Sequence, residues 1–167
     1  MEDSVDRHLA RWSGKAPYDE TVEAVITRIQ YLTKHVANGK RRMVGEIGLQ
    51  DFEFQTLHRL AARDDHRATP GELAAELLLS PAGMTGRLDA LEQAGLVRRI
   101  RGTADRRRVD VELTPAGHEK WMAGMQYQAV VESEIVGALD ERERARVNAL
   151  LKKMLLRAEA LAAADAD

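Results

Sequence analysis

Arginine side chains concentrate in one short stretch, between Arg98 and Arg108. These eleven residues hold six arginines and a single acid, Asp105, which gives the stretch a local charge of +5. The 167-residue chain as a whole carries −2 and has nineteen arginines against six lysines. Salt screens charges within about 10 Å, so their local distribution matters more than their sum. Because planar guanidinium groups suit phosphate and groove contacts, the stretch indicates a phosphate-rich partner.

Other chemistries find little support in the residue types. The chain contains no cysteine, which leaves no disulfide, thiolate ligand or cysteine nucleophile and fits a reducing compartment. The five histidines show no metal-ligand spacing and are better interpreted as solvated or core side chains. The sequence has no hydrolase, metalloprotease or phosphate-loop motif. We therefore expect no metal, no cofactor and no enzymatic activity.

The composition is that of a folded domain without a membrane segment. Hydrophobic residues make up 44% and charged residues 31% of the chain, which argues against wholesale disorder. No apolar run approaches the ~18–20 residues that span a bilayer. The amino terminus is acidic and lacks the apolar stretch of a signal peptide. We expect a cytoplasmic protein with no membrane association.

A short helix begins at Thr69, in the region that must position the arginines. Thr69 can cap the helix, Pro70 suits its first position, and Glu72 follows the cap at the spacing of a capping box. The expected apolar face consists of three leucines, Leu73, Leu77 and Leu78. This helix is predicted to span only two to three turns.

A second helix follows after a tight turn, with Ser80 as its cap and Gly95 at its end. Its buried side recurs at helical spacing and comprises Met84, Leu88 and Leu91. Thr85, Gly86 and Arg87 lie on its outer face. Two short helices joined in this way form a helix-turn-helix, whose second helix enters the major groove of DNA.

The periodicity then changes from helix to strand. Residues 96–101 and the alternating Val109 to Leu113 predict two strands, joined by a hairpin turn over 102–105. The result is a two-stranded ribbon with arginines at its tip, and hence a winged helix. A charge run alone favours a solvated face with local ion pairs such as Asp105 to Arg107. On a wing beside a helix-turn-helix it favours DNA, because arginines enter the narrow minor groove.

Helices with apolar stripes are predicted on both sides of the winged helix. A short helix covers 3–12 and a longer one covers 19–38, which we expect Gly39 to end before a loop over 40–48. A further helix resumes near Leu49.

On the carboxyl-terminal side, Thr114 caps a helix that runs to roughly residue 138. The capping box at Asp140 then begins a final helix. Its apolar stripe comprises Val147, Leu150, Leu151, Met154, Leu155, Ala158 and Leu161.

This order divides the chain into three parts: amino-terminal helices over 1–48, a winged helix-turn-helix over 49–114 and carboxyl-terminal helices over 115–167. The fold class is mainly α with a small β-wing. One small winged module cannot cover the apolar faces of all flanking helices. A symmetric dimer that pairs the terminal helices of two chains removes this problem. A single helical bundle that covers itself is the alternative.

The wing segment from Asp105 to Thr114, with Pro115-Ala116-Gly117 after it, resembles the MarR family of bacterial transcriptional regulators. The stretch Leu88 to Leu96 is also similar, and the likeness covers about residues 19–161. The resemblance implies a homodimer whose terminal helices interlock and whose two winged helices bind an inverted repeat in double-stranded DNA. The half-sites are expected to lie about one helical turn apart.

A narrower likeness concerns the urate-responsive members of that family, which carry an extra amino-terminal helix with a tryptophan. Trp12 stands in such a helix, and Arg87 and Arg99 fall on the positions of the two arginines that hold the anionic ligand. Gln55 stands where this subgroup has an aspartate, and a neutral amide cannot replace its ionic links. The resemblance thus implies a ligand site at these four residues while arguing against urate itself. Simple packing is the alternative role of Trp12.

Together these inferences predict a dimeric, sequence-specific DNA-binding repressor that a small anionic effector releases. Arg87 can reach guanine O6 and N7, and the helix terminus at Ser80 suits a phosphate. A winged-helix module for protein–protein contact is the alternative, which the basic wing disfavours. The predicted DNA contacts are Thr69, Ser80, Pro81, Ala82, Thr85, Gly86, Arg87, Asp105, Arg106, Arg107 and Arg108.

Overall fold

The computed structural model describes residues 2–15, 17, 19–101 and 109–165, which form seven helices and three strands. The chain divides into two compact units, residues 1–128 and 129–167. The helices are α1 (Ser4–Trp12), α2 (Glu20–Glu46), α3 (Asp51–Ala61), α4 (Pro70–Glu76), α5 (Pro81–Gln93), α6 (Pro115–Val136) and α7 (Glu141–Ala164). The strands are β1 (Arg67–Ala68), β2 (Val97–Arg101) and β3 (Val109–Leu113).

The core of the first unit lies between α3, α4, α5 and the sheet. The predicted apolar side of α5 is confirmed, since Met84, Leu88 and Leu91 are at most 1% exposed. They pack with Leu57 and Leu60 of α3 in one buried cluster. The helix-turn-helix and the strands thus share a core of their own, which holds α5 in a fixed orientation.

The predicted caps begin the helices where the sequence places them. Thr69 and Glu72 form the capping box of α4, in which the Glu72 N–H donates to Thr69 Oγ1 at 3.2 Å. The Ser80 side chain accepts a hydrogen bond from the Gly83 N–H at 3.1 Å and begins α5. Asp140 and Glu143 form the capping box of α7. Each cap satisfies a backbone donor that has no partner within its helix.

The prediction that Gly39 ends the second helix is wrong. α2 continues to Glu46, and Gly39 is buried inside it. The predicted loop over 40–48 is therefore helical up to Glu46, where Ile47 caps the helix and Gly48 follows with a positive φ of 67°. Burial of Met43 against Phe54 in a second core cluster extends the helix, because tertiary packing outweighs the weak propensity of one glycine.

Two further details correct the predicted winged helix. The sheet has three strands in the order β1-β3-β2, all antiparallel, where the sequence predicted a two-stranded ribbon. Strand β1 has only two residues, too few to show a periodicity. Leu78 is not on the apolar face of α4, because it lies beyond the end of that helix and is 93% exposed.

The second unit contains the final helix, which has no buried residue. Its predicted apolar stripe is open to solvent in the single chain, with Leu150 55% and Leu155 60% exposed. In the first unit, α2 likewise exposes a row of large apolar side chains that includes Val22 and Leu32. No helix in the described part of the chain has the length and hydropathy of a membrane span.

Candidate nucleic-acid interface

The outer face of α5 is composed of small and polar side chains. Ser80, Pro81, Ala82, Thr85 and Gly86 are all exposed. The Thr85 hydroxyl donates to the Pro81 carbonyl at 2.9 Å, which fixes its rotamer on the helix. Small residues at this end allow the backbone to approach another macromolecule closely. This is the shape that a helix needs to enter a major groove.

Arg87 is half-buried and packs against α3. Its guanidinium carbon lies 4.8 Å from the centre of the Phe52 ring, a cation–π contact. The contact supports the long side chain along its length and leaves guanidinium N–H groups that can donate elsewhere. Phe52 therefore positions the arginine that the sequence singled out, and the periodicity of the sequence gave no indication of this role.

The base of the wing carries an ion-pair cluster that the sequence did not predict. Glu112, at the middle of the sheet, stands opposite Arg67 of β1 and Arg98 of β2 in the strand register. Arg67 donates to Glu112 Oε1 from Nε at 2.9 Å and from Nη2 at 2.6 Å, and Arg98 donates to Oε2. The carboxylate is 11% exposed while the two arginine side chains are 46% and 64% exposed. The cluster thus anchors two guanidinium groups at the surface of the wing.

The electrostatics of this cluster follow from its hydrogen bonds. The bonds from Arg98 and then from Arg67 hold the pKa of Glu112 below its ordinary value. The hydrogen bonds that Arg67 donates to the Glu112 carboxylate in turn raise the pKa of Arg67. Opposite charges in contact each favour the ionised form of the other.

Arg99 lies on the other face of β2 and pairs with α5. Its Nη2 is 2.6 Å from Asp89 Oδ1 and its Nη1 is 2.5 Å from Glu92 Oε2. The Arg99 backbone N–H also donates to Glu92 at 2.9 Å. The bond to Asp89, followed by that to Glu92, raises the pKa of Arg99. These ion pairs tie β2, the first strand of the wing, to α5.

The tip of the predicted wing, with Asp105, Arg106, Arg107 and Arg108, lies outside the described residues. Their roles remain those that the sequence predicts. Strands β2 and β3 on either side of the tip are described, and their pairing from Val97–Leu113 to Arg101–Val109 is continuous.

A cavity of about 350 Å³ opens beside α3 in the first unit. It is lined by two cations, by polar side chains and by apolar ones, among them Lys40, Arg59, Gln55, His58, Phe54 and Met125. Lys40 pairs with Asp51 at 3.0 Å, and the Gln55 amide donates to the same carboxylate. The Trp121 indole N–H donates to His58 Nδ1 at 3.1 Å. The mixture of cations and apolar walls suits a small amphipathic anion.

The four residues that the resemblance assigned to a ligand lie in different surroundings. Gln55 lines the cavity, whereas Arg87 packs on Phe52 and Arg99 pairs with α5. Trp12 ends α1 and is 45% exposed. The structure thus adds Lys40 and Arg59 beside Gln55, two residues for which the sequence gave no functional signal.

The helix-turn-helix followed by an antiparallel hairpin defines a winged-helix protein. Residues 47–108 match the MarR family model. The chain is 27% identical to the transcriptional regulator PecS of Dickeya dadantii over 149 residues, which cover 87% of this chain and 89% of PecS.

Two solved structures share the fold. The YusO protein of Bacillus subtilis superimposes with a TM-score of 0.74 at 20% identity, covering 84% of this chain and 99% of YusO. The MepR–DNA complex of S. aureus gives 0.62 at 24% identity, covering 78% of this chain and 95% of MepR. This chain is thus similar to transcriptional regulators of the MarR family, with residues 47–108 as the segment that matches the family.

Proposed function

We propose that this regulator is a cytoplasmic, homodimeric repressor that binds an inverted repeat and that a small anionic ligand releases. The observation that carries the proposal is the exposed, small-residue face of α5 from Ser80 to Gly86, beside the arginine cluster at the base of the wing. In this proposal Arg87 and the outer face of α5 contact bases. Arg106, Arg107 and Arg108 of the wing enter the adjacent minor groove, and Asp105 orients one of these arginines. Thr69 is a further DNA contact.

The dimer is supported by the exposed apolar stripes. Leu150, Leu151 and Leu155 of α7 are between 45% and 60% exposed, and all lie on one helix face. Leaving such a continuous apolar surface in water is unfavourable, so a second copy of the same helix is a suitable cover. Two winged helices held by one dimer would then meet successive major grooves. In this proposal the segments 1–48 and 115–167 provide the dimer contacts and 49–114 binds DNA.

The effector proposal is supported by the cavity beside Gln55. Lys40 and Arg59 line it, and each already pairs with a carboxylate, Asp51 at 3.0 Å and Glu76 at 3.9 Å. An anion that displaces Asp51 from Lys40 would alter a contact between α2 and α3. A dimer can adopt one arrangement that binds both half-sites and another that does not. The anion releases DNA only if its affinity is higher for the second arrangement. Arg99, Arg87 and Trp12 remain proposed ligand contacts on the strength of the family resemblance.

Fluorescence anisotropy tests the proposal directly. The purified protein is titrated into a labelled duplex from the region upstream of its own gene, with random duplex as competitor, at several salt concentrations. We expect tight binding that random duplex cannot displace and a log–log salt slope of several units, since phosphate contacts release counterions. Weak binding with equal affinity for both duplexes would point to an occupied ligand site or to an operator elsewhere. No binding at low salt, even after removal of the effector, would contradict the proposal and favour the protein-contact alternative.

Two arginine variants separate the proposed roles within the same assay. Arg87→Ala should reduce the preference for the specific duplex, because Arg87 reads bases. Arg107→Ala should weaken binding to both duplexes and lower the salt slope by about two units, one for each protomer of the dimer. Arg157→Ala on α7 removes the same charge from a helix to which no DNA contact is assigned and serves as the control. Wild-type behaviour of both test variants would show that the contacts are wrongly assigned.

A further inference from the structure

Helices α2, α4 and α5 end in the same backbone arrangement. In each, the residue after the cap adopts a positive φ, and two reversed hydrogen bonds close the turn. At α5 the Gly95 N–H donates to Glu92 and the Leu96 N–H to Leu91, both at 2.9 Å. At α4 the Leu78 N–H donates to Ala75 at 3.2 Å and the Leu79 N–H to Ala74 at 2.8 Å. This is the Schellman motif, which places its left-handed residue directly after the cap.

The residue at the left-handed position differs among these turns. Gly48 and Gly95 occupy it after α2 and α5, with φ of 67° and 72°. Leu78 occupies it after α4, with φ of 54°. A residue with a Cβ crowds the following carbonyl oxygen in this conformation, so leucine destabilises a turn that glycine forms without strain. The sequence therefore retains leucine at a position where its backbone favours glycine.

The side chain of Leu78 does not compensate for this strain by packing. Its neighbours Leu77 and Leu79 pack against the core, while Leu78 is 93% exposed. His66 also has a positive φ of 54°, but its carbonyl accepts from Leu113 at 3.0 Å and its ring lies 5.7 Å from that of His118. Contacts within the protein thus stabilise the left-handed conformation of His66. A contact that compensates the strain at Leu78 must come from a partner molecule.

The position of Leu78 in the chain indicates which partner. It lies two residues before Ser80, the cap of α5, and is therefore within about 7 Å of it. The amino-terminal residues of such a helix contact base edges in the major groove. The C5-methyl group of thymine is the apolar group that base pairs present there. We propose that Leu78 is a specificity-determining residue that packs against a thymine methyl group of the operator; this inference rests on the proposed function.

The experiment uses a duplex selected from a random library by the wild-type dimer. Leu78→Gly relieves the strain, so its melting temperature should rise by about 2–4 °C. The same variant should bind the selected duplex about 3- to 10-fold more weakly with an unchanged salt slope, because it loses an apolar contact and no ionic one. Leu78→Asn, which tolerates the left-handed conformation, should behave similarly. Leu78→Met keeps an apolar side chain of similar size and should retain wild-type affinity.

Thymine replacement identifies the contacted atom. Deoxyuridine lacks the C5-methyl group, so replacing one thymine of the selected duplex should weaken binding of the wild type several-fold and leave the Leu78→Gly variant unaffected. Equal affinity of wild type and Leu78→Gly for the selected duplex would overturn the proposal and point to a protein partner. A shift of the dimer equilibrium in Leu78→Gly would also overturn it, by assigning Leu78 to the contact between copies. If the wild type selects no duplex, the proposed function fails as well.

Discussion

The winged helix and the final helix bury their apolar residues in different ways. Leu57, Leu60, Leu73 and Leu91 of the winged helix are 0% exposed within a single chain. In contrast, α7 has a comparable set of leucines and methionine on one face but no buried residue. Both segments satisfy the helical periodicity equally well. The comparison shows that an apolar stripe indicates burial without telling whether the cover is supplied by the same chain or by another.

Charges placed in the apolar stripe of α7 test most directly whether a second chain covers it. Leu151→Glu combined with Leu155→Glu should dissociate the proposed dimer and weaken operator binding by about 100-fold or more, because two linked modules bind far more tightly than one. Sedimentation velocity and anisotropy measure the two effects. Lys152→Glu places a charge on the opposite face and should leave both unchanged. A double variant that remains dimeric would contradict the role of the stripe.

Truncation of a leucine would sharpen the contrast between the two regions. Leu91→Ala removes a fully buried side chain and should lower the free energy of unfolding by about 2–5 kcal/mol. Leu150→Ala is made in the variant that carries Leu151→Glu and Leu155→Glu, which we expect to be monomeric. There it should change the free energy of unfolding by less than about 0.5 kcal/mol, since Leu150 is 55% exposed. Chemical denaturation measures both. Similar losses would mean that α7 packs within its own chain.

Two glycine-to-alanine substitutions compare a closely packed position in α6 with an open position in α2. A Cβ at position 124 would lie 2.4 Å from Phe54 Cε2 and 3.1 Å from Ile47 Cδ1. Gly124→Ala should therefore destabilise by about 1–3 kcal/mol. Gly45→Ala in α2 meets nothing within 4 Å and should stabilise slightly, because alanine favours the helix. Thermal unfolding that ranks the two variants in the reverse order would contradict this packing.

The smallest expected effect concerns Glu112 and depends on pH. Its arginine partners hold its pKa below the ordinary value of 4.5, so the ionised form stabilises the folded state. Its contribution is complete above that value and is lost as the pH falls through the lower pKa of the folded state. Glu112→Gln should thus be less stable than wild type by about 1 kcal/mol at pH 7.

The difference between Glu112→Gln and wild type should shrink below about pH 4.5. Unfolding curves at pH 7, 5 and 3.5 would show this narrowing. Glu159→Gln on the exposed α7 serves as the control and should match wild type throughout. A stability difference that stays constant down to the lowest pH would exclude the ion pairs as its cause.

Much of the fold was predictable because its signals are local. The caps at Thr69, Ser80 and Asp140 begin helices where the sequence predicts them. Gly95 ends α5 as expected, with a positive φ. The prediction that α2 ends at Gly39 is wrong because the length of this helix depends on a non-local contact. Only the packing of Met43 against Phe54 shows that α2 continues.

The candidate site was predictable in part. The outward face of α5 follows from helical spacing, and its exposure confirms that geometry. Phe52 beneath Arg87, and Arg67 beside Glu112, come from segments that are distant in the sequence from the residues they contact. The cavity beside Gln55 likewise combines side chains from several helices. No local pattern encodes such pairs, because they depend on how the elements pack.

The order and type of the helices, the helix-turn-helix and the two strands beside the arginine-rich wing tip all follow from local sequence patterns. These features depend on caps, turn residues and hydrophobic periodicity, all of which act over a few neighbouring residues. The tertiary structure decided the length of α2, the third strand and the exposure of Leu78. It also joined Arg67, Arg98 and Glu112 into one cluster. These outcomes arise from packing and pairing between residues far apart in the chain, whose energies outweigh local propensity.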